Sequence, residues 1–472
     1  MVEQPVGELG VSLKATTIAV RAQRGEHRWR KVRRRCLGVW VLGHCPVERL
    51  PMDLLSVRDG SGKTVRQQMD AYVVGAAMTQ FTSHSQGLID MTERVVASAL
   101  ADAGLGADRI GVVFFGNAAA GLVQGQEMIR GQVLLHQTAL AGKPMINVEN
   151  ACASSSTAFH LAASAVAAGQ VDAAIAIGVE DMSHPDRLRT FGALAAATDT
   201  LRRPDMFAMV DSLTLHAHES NAGAVSSSPL MAHYAAQGAE FLQRFGGSAR
   251  DLAQVVIKNR ANGSLNPNAQ IRRRVSVEEV LQDKMIAAPL TRSMCAPVSN
   301  GAAAVVVVSK ALCRRIGAMG VRVLGLGMAS RDPRSSAMPS QVAAKQAFEA
   351  AAVGPEEIDV AELHDAAAAA ELILMEAVGL CGPGQSIDLT RAGATALDGK
   401  LPVNPSGGLV SRGHPLGATG CAQLVELTEQ LRGRCQARQV SSARLALAQS
   451  SGGVLADSEA VAAVTILSGD EL

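Results

Sequence analysis

The chain has 472 residues, enough for two or three domain-sized units with large buried cores. Its 44 Lys and Arg balance 43 Asp and Glu to a formal net charge of +1, which argues against nucleic acid or any other globally steered partner. Aromatic residues supply only 3 % while Ala, Gly and Val abound, a composition suited to helices packed closely on buried strands, so the expected class is α/β with a largely parallel sheet.

Residues 1–68 read differently from the rest. Arg21 to Arg35 is strongly basic, Trp29 and Trp40 are the only tryptophans, and no helical or strand period runs through the region. A solvated basic tail, an organelle-targeting segment and an upstream start outside the working protein all fit. Glu3, Glu8, Glu26 and Glu48 weigh against a transit peptide, which is poor in acids. The region is therefore set apart as a non-core extension. No signal peptide or apolar run of membrane-spanning length is present, and Gly469-Asp470-Glu471-Leu472 lacks the residue that would make it a retention signal, so a cytoplasmic protein without membrane association is expected.

From Ala71 apolar strands alternate with Ala-rich helices. The strand Tyr72-Val73-Val74-Gly75-Ala76-Ala77-Met78 returns as Arg322-Val323-Leu324-Gly325-Leu326-Gly327-Met328. The helix-turn-strand from Ala103 to Val112, with Gly106 in its turn, returns from Ala351 to Val360, with Gly354. Two matched segments in the same order predict an internal duplication: an N-terminal half over 69–315, with a loop region at about 185–285, and a C-terminal half over 316–472. A site is expected where the halves meet.

Asn147-Val148-Glu149-Asn150-Ala151-Cys152-Ala153-Ser154 precedes an Ala-rich helix. A cysteine at a helix start sits among unpaired N–H groups that favour the thiolate, so Cys152 is a candidate nucleophile with an acidic thiol; a small buried hydrophobe is the alternative. The eight cysteines form no CxxC pair and no Cys/His cluster along the sequence, which predicts neither a disulfide framework nor a metal site. Glu362-Leu363-His364-Asp365 ends the second-half strand, where ligand-facing residues of parallel sheets gather; Asp365 as a helix cap beside a surface histidine is the alternative. Asn404-Pro405-Ser406-Gly407-Gly408 and Gly413-His414-Pro415-Leu416-Gly417 are glycine-dense, implying unusual backbone angles or close approach of a ligand. His414 is the candidate base for Cys152, with Asn404, Gly413 and Gly417 in the substrate loop.

Taken together, these segments resemble the thiolase family, and within it the sterol-carrier-protein-x branch. The stretches Val256-Ile257-Lys258-Asn259-Arg260, Asn266-Pro267 and Ile286-Ala287-Ala288-Pro289-Leu290 extend the resemblance over Met69 to Leu467. It implies a five-layer αβαβα fold, a homodimer or thiolase-type tetramer, and acyl-CoA C-acyltransferase activity in fatty-acid or sterol side-chain metabolism. Coenzyme A enters as a substrate, with no covalent cofactor. Cys152 is acylated, His414 takes its proton, His364 completes an oxyanion site, and the backbone N–H groups of Cys152 and Gly452 serve the acyl oxygen. The branch carries its second acid/base cysteine in an H-D-C-F motif, but Ala366 and Ala367 stand there; other thiolases carry it in a C-terminal C-x-G motif, where Ala448 stands. Asn300 replaces a common aspartate. Acylation is thus expected and thiolysis is put in doubt. The alternatives are a retro-aldolase, an acyltransferase subunit with a small OB-fold partner, or a non-catalytic acyl-CoA-binding subunit; the lipid-transfer domain of the branch is not expected.

Overall fold

A computed structural model describes residues 56–58, 64–66, 69–202 and 228–469. The basic segment 21–35, both tryptophans, the chain end from Asp470 and part of the expected loop region lie outside the described residues. Two short strands, β1 (Ser56–Arg58) and β2 (Thr64–Arg66), pair only with each other, upstream of the expected boundary at 69.

The main sheet is built from β3 (Ala71–Met78), β4 (Val112–Gly116), β5 (Met145–Val148), β6 (Ala173–Asp181), β9 (Asn300–Ser309), β10 (Val321–Ser330), β11 (Val360–Glu362), β12 (Leu445–Leu455) and β13 (Ser458–Ser468). A further pair, β7 (Met285–Ala287) and β8 (Leu290–Thr291), stands apart in the loop region. The sheet order is β11-β12-β13-β10-β3-β9-β6-β4-β5. The expectation of a largely parallel sheet is corrected here. Only β11/β12, β6/β4 and β4/β5 are parallel, and the pairings at the centre are antiparallel. β12 turns directly into β13, a connection that needs no crossover helix and fixes the antiparallel sense.

The duplication is visible in the pairing itself. β4-β6-β9-β3 and β11-β12-β13-β10 run in the same order with the same parallel and antiparallel senses. Each first strand carries a bulge at the same place, Val74 and Leu324. The glycine after each bulge lets a helix cross at close range: a Cβ on Gly75 would lie 2.3 Å from the Ala99 carbonyl oxygen, and one on Gly325 would lie 2.1 Å from that of Ala347. The two first strands meet edge to edge, Val321 opposite Val73.

Five layers follow. The helices Ser154–Ala167 and Thr419–Leu431 share one core with the inward faces of both half-sheets, through residues such as Ala162, Val305, Leu424 and Ala446. Leu88–Ala103 covers the outer face of the first half, and Pro339–Ala351 with Ala368–Ala377 covers that of the second. Both central helices are buried on nearly every side, and their polar residues, such as His160 and Gln423, are buried with the rest and hydrogen-bonded to the second half's strands. Their N-termini are preceded by Cys152 and His414, so the duplication itself brings these residues to the junction of the halves.

Candidate active site

Cys152 sits in a 3₁₀ turn, Ala151–Ala153, between β5 and the first central helix. Ala151 holds φ 48°, a left-handed conformation that costs a non-glycine residue about 1 kcal/mol. Local bonds hold it: Ala151 N donates to Glu149 Oε1 (2.6 Å), Asn150 N donates to Ser154 Oγ (3.0 Å), and Ser154 Oγ donates to Ala151 O (2.6 Å). The expected acidic thiol is not what this setting produces. Burial pushes the Cys152 thiol up to about 12, and the carboxylates of Glu180 and Glu149 push the same way against the N–H groups of Gly453 and Cys152 itself. The N–H of Gly453 thus faces the Cys152 sulfur. Its neighbour Gly452 is a point of close backbone contact, since a Cβ there would lie 2.1 Å from Asn150 O.

His414 and His364 stand edge to face with ring centroids 4.9 Å apart, and one donor atom from each of Cys152, His364 and His414 lies within 4.8 Å of the others. His414 Nδ1 is 2.7 Å from Thr419 Oγ1, whose own proton goes to Pro415 O (2.9 Å). The hydroxyl must accept from Nδ1–H, which leaves the Nε2 lone pair as the basic position. Burial and the neighbouring His364 hold His414 well below the usual imidazole range, and burial lowers His364 to about 3. Both rings are neutral. Neither ring nitrogen of His364 has a hydrogen-bond partner among the described residues, although both are buried. This trio is also a Cys/His/His donor set of the kind a thiophilic cation takes, and its three distant segments explain why no sequence spacing announced it.

The remaining expected loop residues lie behind the histidines rather than against the cavity. Asn404 is fully buried at φ 56°; its Oδ1 accepts from Leu363 N (2.8 Å) and its Nδ2 donates to Glu371 (2.7 Å), bracing the segment that carries His364. Gly413 holds φ 108° directly before His414. Gly417 N donates to Glu180 Oε2 (3.0 Å), and a Cβ at that position would lie 2.9 Å from Asn117 Cα. Glu180 also accepts from Ala118 N and Ala119 N and from Asn117 Nδ2, so one buried carboxylate ties the His414 turn of the second half to the first. Burial raises it to about 7. Sequence reasoning assigned no role to Glu180, near the end of β6, or to Thr419, the first residue of the second central helix. Asn300 is a brace as well: its Oδ1 accepts from Met182 N (2.7 Å) and its Nδ2 donates to Ser183 Oγ (2.7 Å).

Cys152, His364 and His414 open onto a cavity of about 940 Å³. Ala366 lines it beside them, as does Cys295; Ala448 lies in the central core with Ala446 and Leu467. Leu194, Leu230, Met231, Val275 and Ile286 make much of the wall apolar, and Arg260, Arg273, Lys284 and Arg292 add positive charge. No helix among the described residues is long and apolar enough to cross a membrane.

Comparison with known proteins matches residues 71–311 to the thiolase N-terminal domain family and residues 327–468 to the family described as thiolase C-terminal domain-like. Sterol carrier protein 2 of Gallus gallus is 33% identical over 406 residues, 83% of this chain and 71% of that protein. Benzoylsuccinyl-CoA thiolase subunit BbsB of Thauera aromatica is 33% identical over 402 residues, 82% of this chain and 96% of that protein. A solved structure described as an Ltp2-ChsH2(DUF35) aldolase superposes with a TM-score of 0.68 at 19% identity, covering 85% of this chain and 98% of that one, a likeness of fold.

Proposed function

Because the chain belongs to the thiolase superfamily, on its sterol-carrier-protein-x side, we propose that it is an acyl-CoA C-acyltransferase that carries the acyl group on Cys152. The observation that carries this reading is the convergence of Cys152, His364 and His414 within 4.8 Å on one large cavity. The acyl-CoA carbonyl lies against the Cys152 sulfur. His414 Nε2 takes the thiol proton as the C–S bond forms, and the N–H groups of Cys152 and Gly453 receive the negative charge on the oxygen. Collapse breaks the bond to coenzyme A, whose thiolate takes the proton back from His414. A neutral imidazole serves this better than a charged one, since it must first accept. The unpartnered His364 ring donates its N–H to the oxygen of the incoming or departing acyl unit.

Intact-mass measurement after mixing with acetyl-CoA tests this: the protein gains one acetyl group, and Cys152→Ser gains none. A wild-type protein that binds acetyl-CoA without gaining mass would support the acyl-CoA-binding subunit instead.

A second reading has its own support. Ala366 stands at the cavity wall in place of the branch's motif cysteine, and Cys295, which lines the same cavity, has its thiol pushed up to about 12 by burial, so no acidic cysteine among the described residues is ready to move the second proton. Acyl transfer or retro-aldol cleavage without thiolysis, with a small OB-fold partner, fits that absence. For self-association the favoured occupant is a second copy on the bare edge of β5, where Met128, Ile129 and Ile146 are exposed.

A further inference from the structure

Three consecutive residues of the helix Ala249–Leu265 show what is unusual about the third. Lys258 Nζ pairs with Glu371 Oε1 (2.9 Å) and donates to Val403 O (2.6 Å). Asn259 Nδ2 donates to both Asp365 (2.9 Å) and Glu371 (2.8 Å). Arg260 follows, only 6 % exposed, lining the cavity, its side chain with no ion pair and no hydrogen bond among the described residues and its Nε buried without a partner there.

The two acids that line the cavity are committed elsewhere. Glu279 pairs with Arg273 (2.7 Å) and caps its helix at Ser276 N (2.7 Å). Asp283 pairs with Arg292 (2.8 Å) and accepts from Ser293 Oγ (2.6 Å) and Lys284 N (2.8 Å). Arg273, Lys284 and Arg292 are exposed to solvent, which screens them, whereas Arg260 is buried with only 6 % of its surface exposed. A buried charge without a partner is strongly destabilising, and here the backbone cannot retreat, because Lys258, Asn259 and Asn262 lock the helix to the second half.

We infer that Arg260 is an anion receptor in the cavity wall, completed by an oxyanion of the ligand: a phosphate of coenzyme A or a carboxylate at the far end of the acyl group. This rests on the acyl-CoA reading and adds to it a recognition element within the site. The guanidinium presents planar donors suited to either oxyanion. Burial, then repulsion from Arg273, lowers Arg260 to about 10 against the weaker pull of Asp283, which is itself paired with Arg292.

Non-reactive thioethers separate this inference from the chemistry at Cys152. Affinities of S-butyl-CoA, S-butyl-pantetheine and S-carboxybutyl-pantetheine would be measured by calorimetry on the wild type, Arg260→Gln and Arg260→Lys. The inference expects a loss of about tenfold or more in Arg260→Gln for ethers bearing an anion, relative to S-butyl-pantetheine. A loss confined to the CoA ether identifies phosphate, and one confined to the carboxybutyl ether identifies an acidic acyl group. Arg260→Lys keeps the charge but not the fork, so it shows the same selectivity at smaller amplitude and carries the test should Arg260→Gln not fold. Equal losses for all three ethers, no loss for any, or no binding of the CoA ether to the wild type would each overturn it. Failure of acetyl-CoA to acylate Cys152, with the anion-selective loss intact, would overturn only the catalytic reading.

Discussion

At Cys152 two local influences oppose one another: the backbone N–H groups of Gly453 and Cys152 favour a thiolate, while burial and Glu180 disfavour it, and burial wins. With the thiol near 12 and His414 held neutral, the resting pair is thiol and imidazole, not thiolate and imidazolium. A raised thiol means the thiolate fraction grows about tenfold per pH unit through the neutral range. The alkylation rate of Cys152 in the free protein should therefore climb from about pH 6 to 9 without a plateau, and match that of Cys295, also raised to about 12 by burial. A plateau at or below neutral pH would reveal a preformed ion pair and sink this account. That Cys152, His414 and His364 belong to one site was legible in the sequence because each stands in a segment whose residue types packing explains poorly, and the three meet at the cavity. Thiol acidity was not, since it depends on burial by residues far along the chain. The same scale decides the missing acid. Ala366 faces the cavity and Ala448 the core, so Ala366→Cys should raise thiolysis by about a hundredfold while Ala448→Cys leaves it unchanged. A wild type that already cleaves 3-ketoacyl-CoA rapidly, indifferent to Ala366→Cys, would show that another group moves the proton.

Between elements, the spacing of the two histidines is held by a buried ion pair. Glu362 ends β11 two residues before His364, and Arg412 ends the short helix Gly408–Arg412 two residues before His414. Arg412 Nη1 lies 3.0 Å from Glu362 Oε2, both side chains are inaccessible to solvent, and Ser406 bonds to each. Removing one partner strands the other charge, so Glu362→Gln should cost about 3 to 5 kcal/mol in denaturant unfolding. Replacing both, Glu362→Leu with Arg412→Met, should restore most of that stability yet slow acylation, because apolar packing fills the space without fixing the distance between the rings. Full acylation in the double variant would mean that the pair is structural alone. The strands and helices on either side were readable from apolar runs and glycine turns. The mixed sense of the sheet was not, because an apolar run has no direction and the β12–β13 turn, Leu455-Ala456-Asp457-Ser458, lacks the Asn-Gly signature of a tight hairpin.

Across the whole molecule, duplication makes the two ends of the sheet equivalent in plan and unequal in finish. The second half stops at β11, whose outer edge is covered: Ala361 N donates to Pro402 O (3.0 Å) and Asn404 N donates to Ala361 O (2.8 Å). The first half adds β5 beyond β4, and no strand among the described residues pairs with its outer side. An uncovered edge is a template for another strand, and natural proteins blunt such edges with charge or proline. Here Pro144 precedes the strand and Glu149 follows it, but the strand itself carries no charge and has apolar residues exposed beside it. Ile146 on β5 is 48 % exposed, and Met128, Ile129 and Val133 are exposed nearby, Ile129 at φ 47° immediately ahead of the helix Arg130–Leu135. An edge that is bare, short and apolar suits pairing with its own copy about a two-fold axis, since antiparallel pairing of identical strands closes on itself and leaves no free end. Cys152 follows β5 by only four residues, so an interface there also stiffens the turn that presents the nucleophile. Ile146→Lys should therefore give a folded monomer by sedimentation equilibrium, with an unchanged helical spectrum and a slower acylation of Cys152, whereas a charge at the still more exposed Met319, far along the chain in the second half's opening loop, should leave the dimer intact. A wild type that sediments as a monomer, or a dimer that survives Ile146→Lys, would place the partner of this edge elsewhere.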